Sequence, residues 1–148
     1  MKELIYRYKF HRAKAASKVV ARAIDSVLPQ LPDDIIICHI PTADSRVRQR
    51  GYDQARLIAE HLAKARGWEH RKLLIRRGSS RQVGASREER FKHLEKALKV
   101  RTRVFPVGAH ILLVDDITTT GATIESAAKV LKSAGAKTVD AAVFAQPE

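Results

Sequence analysis

Two apolar runs without polar alternation constrain the fold of this chain more than any other feature. Residues 35–40 and 111–114 are apolar almost throughout, and the first run is rich in β-branched isoleucine. Strands buried on both faces of a parallel sheet have this pattern, whereas half-exposed strands alternate. A polar segment and a stretch of helical periodicity follow each run, which predicts right-handed β-α-β units. The predicted fold is therefore α/β, with a mostly parallel twisted sheet that helices cover on both faces.

Residues that start and end helices delimit the other elements. Four helices are predicted. The first spans 11–28, and the second runs from the N-cap Asp53 to Gly67. The third begins at Ser86, and the fourth runs from about Gly121 to Gly135. The predicted strands are 35–40, 72–76, 110–114 and 138–144, and polar loops are predicted over 41–51 and 78–84. A length of 148 residues suits one domain, so we expect residues 1–148 to form a single domain.

The positive charge of the chain is concentrated in its middle. The formal net charge is +12, and residues 71–103 contain 12 Lys and Arg against 3 acids. Such a stretch suits contact with nucleic acid or with a small polyanionic substrate, and a solvated basic surface remains open as an alternative.

Cysteine content and hydropathy exclude several classes of protein. The single cysteine, Cys38, allows neither an internal disulfide nor a cysteine-built zinc site within the chain, and its apolar surroundings predict a buried thiol. No apolar run approaches the roughly 20 residues that cross a bilayer, and residues 1–10 are too polar for a secretory signal. We therefore expect a cytoplasmic protein without a membrane partner.

The segment most informative about function joins the second apolar run to the next predicted helix. It reads Asp115-Asp116-Ile117-Thr118-Thr119-Thr120-Gly121-Ala122-Thr123, at the edge where parallel sheets bind ligands. Open backbone N–H groups, threonine hydroxyls and the positive end of the helix dipole favour a phosphate at this turn. The two carboxylates repel phosphate but accept hydrogen bonds from vicinal hydroxyls. The combination is typical of a site for a ribose 5-phosphate.

Other interpretations of the acidic pair differ in what they require. Acids are common at turns and helix starts, so Asp115 and Asp116 as capping residues remain an alternative. A phosphoacceptor receiver domain also has an acidic pair after an apolar strand, but near its N-terminus, whereas this pair lies in the last third of the chain. A Walker-type nucleotide loop is excluded because no G-x-x-x-x-G-K-[ST] occurs.

Residues 111–123 closely resemble the phosphoribosyl pyrophosphate signature of type I phosphoribosyltransferases, with four apolar residues, two acids and a Thr-Thr-Gly turn. The resemblance implies that fold and a phosphoribosyl pyrophosphate substrate accompanied by Mg²⁺. It also implies that Asp115 and Asp116 hold the ribose hydroxyls, and that Thr118 to Thr123 hold the 5-phosphate. Magnesium prefers oxygen ligands and reaches such sites through substrate phosphates and water, so no dedicated metal cage is expected.

Further segments resemble the competence protein F (ComF) family, a branch of the same fold. Residues 46–55 look like its R-x-R-x-R-G-[FY]-[ND]-Q-[AS] stretch, residues 82–90 like its second signature, and residues 8–10 like its opening element. Members often begin with a four-cysteine zinc ribbon, for which this chain lacks the cysteines, and have Asn where this chain has His93. We expect His93 to be a surface or capping variant rather than a ligand.

The second resemblance implies a role in competence and therefore a competing function. A non-catalytic module of DNA uptake or recombination is the alternative to a transferase, with nucleic acid or a protein of the competence machinery as its partner. The low aromatic content of 5% argues against extensive base stacking. A homodimer is also left open, and the acceptor of a transferase reaction is not predicted.

Basic residues near the predicted site suit a pyrophosphate group. The loop 41–51 leaves a strand at the ligand-binding edge, and the loop 78–84 is predicted to be a mobile cover that closes over the substrate. The residues predicted to contact pyrophosphate are Thr42, Arg46, Arg48, Arg50, Arg76 and Arg81. Arginines that point into solvent and a merely structural turn are the alternatives.

Overall fold

The computed structural model describes residues 2–76, 97–101, 103 and 105–145. The helices are α1 Lys2–Val27, α2 Asp44–Arg50, α3 Gln54–Arg66 and α4 Ala122–Ser133. The strands are β1 Ile36–His39, β2 Glu69–His70, β3 Leu74–Arg76, β4 Leu98–Val100, β5 His110–Ile117 and β6 Thr138–Ala145. The predicted cover 78–84, the helix predicted at Ser86, Arg81 and His93 lie outside the described residues.

Four strands form the parallel sheet that the apolar runs predict. Their order is β2-β1-β5-β6, and every neighbouring pair is parallel. Parallel strands all end at the same edge of a sheet, so the segments that follow β1 and β5 meet there. The N–H of Ile40 accordingly donates a hydrogen bond to the carbonyl of Val114 over 3.0 Å.

Helices cover the sheet on both faces, as predicted. On one face α1 and α3 pack over Ile37 and Leu112. On the other face α4 and the antiparallel pair of β3 and β4 pack over Cys38 and Leu113. All four side chains are at most 1% exposed, and burying one large aliphatic side chain contributes roughly 1.5–3 kcal/mol. The predicted burial of Cys38 is confirmed, and burial raises the pKa of its thiol to about 11.

Three local predictions need correction. The loop predicted over 41–51 contains α2, which buries no residue and so shows no apolar period; it ends where Gly51 adopts the left-handed φ of 84°. The strand predicted over 72–76 is β3, which lies outside the parallel sheet. The first helix begins at Lys2 rather than at residue 11. Neither it nor another helix of the described segments is long and apolar enough to cross a membrane.

The predicted limits of α3 are confirmed, and they place its first turn at the ligand-binding edge. The Asp53 carboxylate accepts a hydrogen bond from the N–H of Arg56 over 3.3 Å, and the helix ends at Gly67. An N-cap of this kind contributes about 1 kcal/mol.

Candidate functional site

A cavity of about 380 Å³ opens at the edge of the sheet where β1 and β5 end. Its volume lies in the range of roughly 300–1,000 Å³ that is usual for small-molecule sites. The predicted site residues that line it are Thr42, Arg46, Arg50, Arg76, Asp115, Asp116, Thr118, Thr119, Thr120, Ala122 and Thr123. Arg48 and Gly121 do not line it, and Arg81 lies outside the described residues.

The two carboxylates lie near the end of β5 rather than beyond it. Successive residues of a strand point to opposite faces, yet both acids line the cavity because it opens over the end of the strand. Asp115 Oδ1 accepts a hydrogen bond from the N–H of Asp116 over 2.9 Å. Burial, and then repulsion from Asp116, raises the pKa of Asp115 to about 7. Asp115 is therefore only partly ionised near neutral pH, which reduces its repulsion of a phosphorylated ligand.

Two backbone N–H groups of the turn after β5 form hydrogen bonds within the turn, contrary to the prediction that these N–H groups stay open. The N–H of Gly121 donates to Thr118 Oγ1 over 3.1 Å, and the N–H of Ala122 donates to Thr120 Oγ1 over 3.5 Å. Gly121 has a left-handed φ of 74°, which would strain a residue with a Cβ. It therefore shapes the start of α4 without lining the cavity. A phosphate at this turn would exchange these two hydrogen bonds to neutral hydroxyls for charge-assisted ones.

Helix α2 sorts the arginines of the predicted pyrophosphate segment onto different faces. Arg46 and Arg50 are four residues apart, so they share the face that lines the cavity, whereas Arg48 does not line it. A third guanidinium group, that of Arg76, arrives from the end of β3. Burial and the neighbouring Arg46 lower the pKa of Arg76, while Asp115 opposes this effect. Arg46 and Arg76 therefore repel each other, and an anion bound between them would relieve this repulsion.

Asp53 holds the segment that follows β1. Beyond its role as N-cap, its carboxylate accepts a hydrogen bond from the N–H of Thr42 over 3.1 Å and another from the Thr42 hydroxyl over 3.0 Å. The sequence predicted the cap but not these bonds, because they join residues on either side of α2. Asp53 thus connects the start of α3 to one wall of the cavity.

A pair of imidazoles lies at the end of β1, directly before the same wall. His39, the last residue of β1, is 5% exposed, and its Nδ1 lies 2.9 Å from Nε2 of His70 on β2. Burial lowers the pKa of His39 to about 4 and also lowers the pKa of His70. Sequence reasoning missed this pair because β2 is too short to show a strand pattern. The available signal was a histidine inside an otherwise apolar run.

Comparison with known proteins identifies the family. The family described as "Phosphoribosyl transferase domain" matches residues 55–148, which include β5, the acidic pair, the threonine turn and α4. The chain belongs to this family. The resemblance that residues 111–123 suggested is thereby confirmed.

Curated relatives of this phosphoribosyltransferase-domain chain are named for competence and DNA use. Competence protein ComFC of Streptococcus pneumoniae is 34% identical over 139 residues, covering 94% of this chain and 60% of that protein. DNA utilization protein YhgH of Salmonella typhimurium is 31% identical over 146 residues, covering 92% of this chain and 63% of that protein. The resemblance to the ComF family is confirmed, and the chain spans less than two thirds of the length of these relatives.

Solved structures agree with the family in fold. The B. subtilis glutamine phosphoribosylpyrophosphate amidotransferase, complexed with ADP and GMP, has a TM-score of 0.62 at 19% identity, covering 90% of this chain and 27% of that chain. The allosteric regulatory enzyme of purine biosynthesis has a TM-score of 0.61 at 18% identity, covering 89% of this chain and 26% of that chain. At these identities the likeness shows the fold, and the predicted type I phosphoribosyltransferase-like architecture is confirmed.

Proposed function

We propose that the chain binds phosphoribosyl pyrophosphate in the cavity at the end of β5 and transfers its phosphoribosyl group to an acceptor. The observation that carries the proposal is the composition of one cavity. Two carboxylates suit the ribose hydroxyls, a threonine turn at the start of α4 suits the 5-phosphate, and three arginines suit the pyrophosphate. The proposed ribose 5-phosphate contacts are Asp115, Asp116, Thr118, Thr119, Thr120, Ala122 and Thr123, with Arg46, Arg50 and Arg76 at the leaving group.

The proposed reaction places most of its electrostatic demand on the arginines. The bond from C1 of the ribose to the pyrophosphate oxygen breaks, and its electron pair leaves with pyrophosphate. The acceptor atom bonds to C1 and gives its proton to the released pyrophosphate or to water, while C1 passes through oxocarbenium character. Guanidinium groups aimed at the pyrophosphate oxygens stabilise the charge that develops on them. The carboxylates hold the ribose hydroxyls and orient C1 toward the acceptor.

The donors in the cavity fit a magnesium ion that arrives with the substrate. The charged and polar groups in its lining are carboxylates, hydroxyls and guanidinium groups, and no thiol or imidazole is among the lining residues. The described part of the chain also has no cluster of three or more metal-ligating side chains. Mg²⁺ suits such a site because it keeps several waters and binds phosphate oxygens. When bound, the ion would neutralise charge on the pyrophosphate.

Helix α2 offers a matched pair of variants that tests the pyrophosphate contacts. Arg50→Ala removes a guanidinium group from the cavity, whereas Arg48→Ala removes the same charge from the same helix away from the cavity. Measured by calorimetry with phosphoribosyl pyrophosphate and Mg²⁺, we expect Arg50→Ala to raise the dissociation constant about tenfold. Arg48→Ala should bind like the wild type, and equal losses in the two variants would contradict the assignment of the pyrophosphate to this face.

A second candidate function is a non-catalytic module that acts on nucleic acid. The names of the relatives and the 12 Lys and Arg within residues 71–103 favour it. A protein surface that binds the phosphates of a nucleic acid loses affinity for it steeply as the salt concentration rises. For single strands, the logarithm of the binding constant falls by about 0.7 per released charge for each tenfold increase in salt. Oligonucleotide binding that is steeply salt-dependent and unaffected by phosphoribosyl pyrophosphate would favour the module. Release of pyrophosphate with an acceptor present would favour the transferase.

A further inference from the structure

Besides the hydrogen bonds of Ala43 at the start of α2, three points hold the cavity wall formed by residues 40–43. The N–H of Ile40 donates to the carbonyl of Val114 over 3.0 Å, and Thr42 donates twice to the Asp53 carboxylate. The third point is His39, directly before the wall, whose Nδ1 lies 2.9 Å from Nε2 of His70. The first two points hold the wall itself, and the third holds the end of the strand from which the wall emerges.

We propose that His39 and His70 are positioning residues for this cavity, because their imidazole bond holds the end of β1, and with it Thr42, in the geometry that admits the pyrophosphate end of a ligand. Neither histidine lines the cavity, so both act through the wall rather than on the ligand. The identity of the ligand rests on the function proposed above. The bond and its effect on the wall are properties of the ligand-free chain.

The location of the pair explains why this bond matters. Ile37 belongs to the core under α1 and α3, and His39 leaves β1 on the same face because side chains alternate along a strand. A ring nitrogen buried there is costly unless it has a hydrogen-bond partner. His70 provides that partner from the edge strand β2. The ring centroids are 5.1 Å apart with an interplanar angle of 43°, so the rings meet through their nitrogens rather than by stacking.

The bond between the rings requires that only one of the two facing nitrogens carries a proton. One ring donates its N–H and the other accepts with a lone pair. Asp53 favours protonation of His39 and Glu60 favours protonation of His70, whereas Arg56 and Lys72 disfavour protonation of both rings. Burial is the largest effect and lowers the pKa of each ring, so both are neutral and bonded at neutral pH. Protonation of both rings in acid would place two N–H groups and two charges face to face.

Variants can remove this bond from either side. His39→Leu removes the more buried ring, whereas His70→Leu leaves the ring of His39 without its partner. The amide of Asn reaches about as far as Nδ1 and that of Gln about as far as Nε2, so His39→Asn and His70→Gln are the rescue variants. The matched control is His110→Leu. The Nδ1 atom of His110 also forms a hydrogen bond, to Thr138 Oγ1 over 2.8 Å, but at the end of the sheet where the parallel strands begin.

Hydrogen exchange reports on the wall without any ligand. The N–H of Thr42 is bonded to Asp53, so its exchange rate measures how often the wall opens. We expect exchange at Thr42 about tenfold faster in both Leu variants, with little change at Leu112 in the centre of the sheet.

Ligand binding is the second readout. With phosphoribosyl pyrophosphate and Mg²⁺ at neutral pH, we expect the dissociation constant to rise about tenfold in each Leu variant and to stay near that of the wild type in the rescue and control variants. The double Leu variant should bind no worse than either single one, since both substitutions remove the same bond.

The outcomes that overturn the proposal differ from those that overturn the function. Unchanged exchange at Thr42 in the Leu variants would refute a positioning role, and so would equal acceleration at Leu112, which would indicate general destabilisation. A wild-type chain that binds no phosphoribosyl pyrophosphate would instead refute the function, and the exchange result would still decide the role of the histidines. If His39→Leu does not fold, His70→Leu performs the same test at a less buried position.

Discussion

Replacing Asp115 by Asn is expected to stabilise the protein in mild base and to lower its affinity for phosphoribosyl pyrophosphate. Burial and Asp116 raise the pKa of Asp115 from 3.8 to about 7 in the folded protein. An acid whose folded pKa is raised binds its proton more tightly in the folded chain than in the unfolded one. The free energy of unfolding of the wild type therefore falls as the pH rises from 3.8 to about 7, and this contribution is constant above that window.

The size of the effect follows from the width of the window. Each pH unit within it lowers the free energy of unfolding by about 1.4 kcal/mol. Of the range from about pH 5 to about pH 8, only the part below the folded pKa contributes, which is about two pH units. The charge on Asp115 therefore destabilises the wild type by about 3 kcal/mol over this range. Asn does not titrate, and its Oδ1 can still accept the hydrogen bond from the N–H of Asp116. The advantage of Asp115→Asn over the wild type should therefore be about 3 kcal/mol larger at the higher pH.

Urea unfolding of both proteins at the two pH values measures this difference, and comparison with the wild type cancels the groups that titrate in both. Asp140→Asn, at an exposed position of β6, is the control and should show no such change. Asp115→Asn should also bind phosphoribosyl pyrophosphate roughly tenfold or more weakly than the wild type, because a charge-assisted bond to the ribose is lost. An equal advantage at both pH values would refute the argument from burial, and unchanged affinity would refute the assignment of Asp115 to the ribose.

Three further predictions test other parts of the site. Phosphoribosyl pyrophosphate with Mg²⁺, at about 100 times its dissociation constant, should raise the free energy of unfolding by about 2.7 kcal/mol, so an unchanged melting temperature at saturating ligand would contradict the proposed substrate. Asp53→Ala should lower the free energy of unfolding by roughly 1–2 kcal/mol and weaken the ligand, since the N-cap and both Thr42 bonds disappear; the exposed Asp34→Ala is its control in urea unfolding. Arg81→Ala, in the predicted cover, should weaken phosphoribosyl pyrophosphate but not ribose 5-phosphate in calorimetric titrations, and equal losses would contradict the cover.

The sequence by itself determined the elements whose signals are local. The apolar runs predicted β1 and β5, and Asp53 and Gly67 predicted the limits of α3. The segment that lines the cavity after β5 was also predictable, because a strand, two acids and a hydroxyl-rich turn are contiguous in the chain and a parallel sheet presents such a turn at one edge.

Tertiary structure alone decided which side chains meet in the cavity. Arg46, Arg48 and Arg50 look equivalent in the sequence, and only the formation of the solvent-exposed helix α2 separates Arg48 from the other two. Arg76 reaches the cavity from β3, a strand outside the parallel sheet. The position of β3 relative to the cavity does not follow from the residues next to Arg76 in the sequence.

The same holds for the groups whose chemistry depends on burial. The bond between His39 and His70 joins residues 31 positions apart, and the raised pKa of Asp115 follows from the walls packed around it. Periodicity and capping arise from forces between near neighbours in the chain, whereas desolvation and long-range hydrogen bonds depend on the complete path of the backbone. That difference is why the location of this site was readable from the sequence, while its electrostatics and the support of its walls were not.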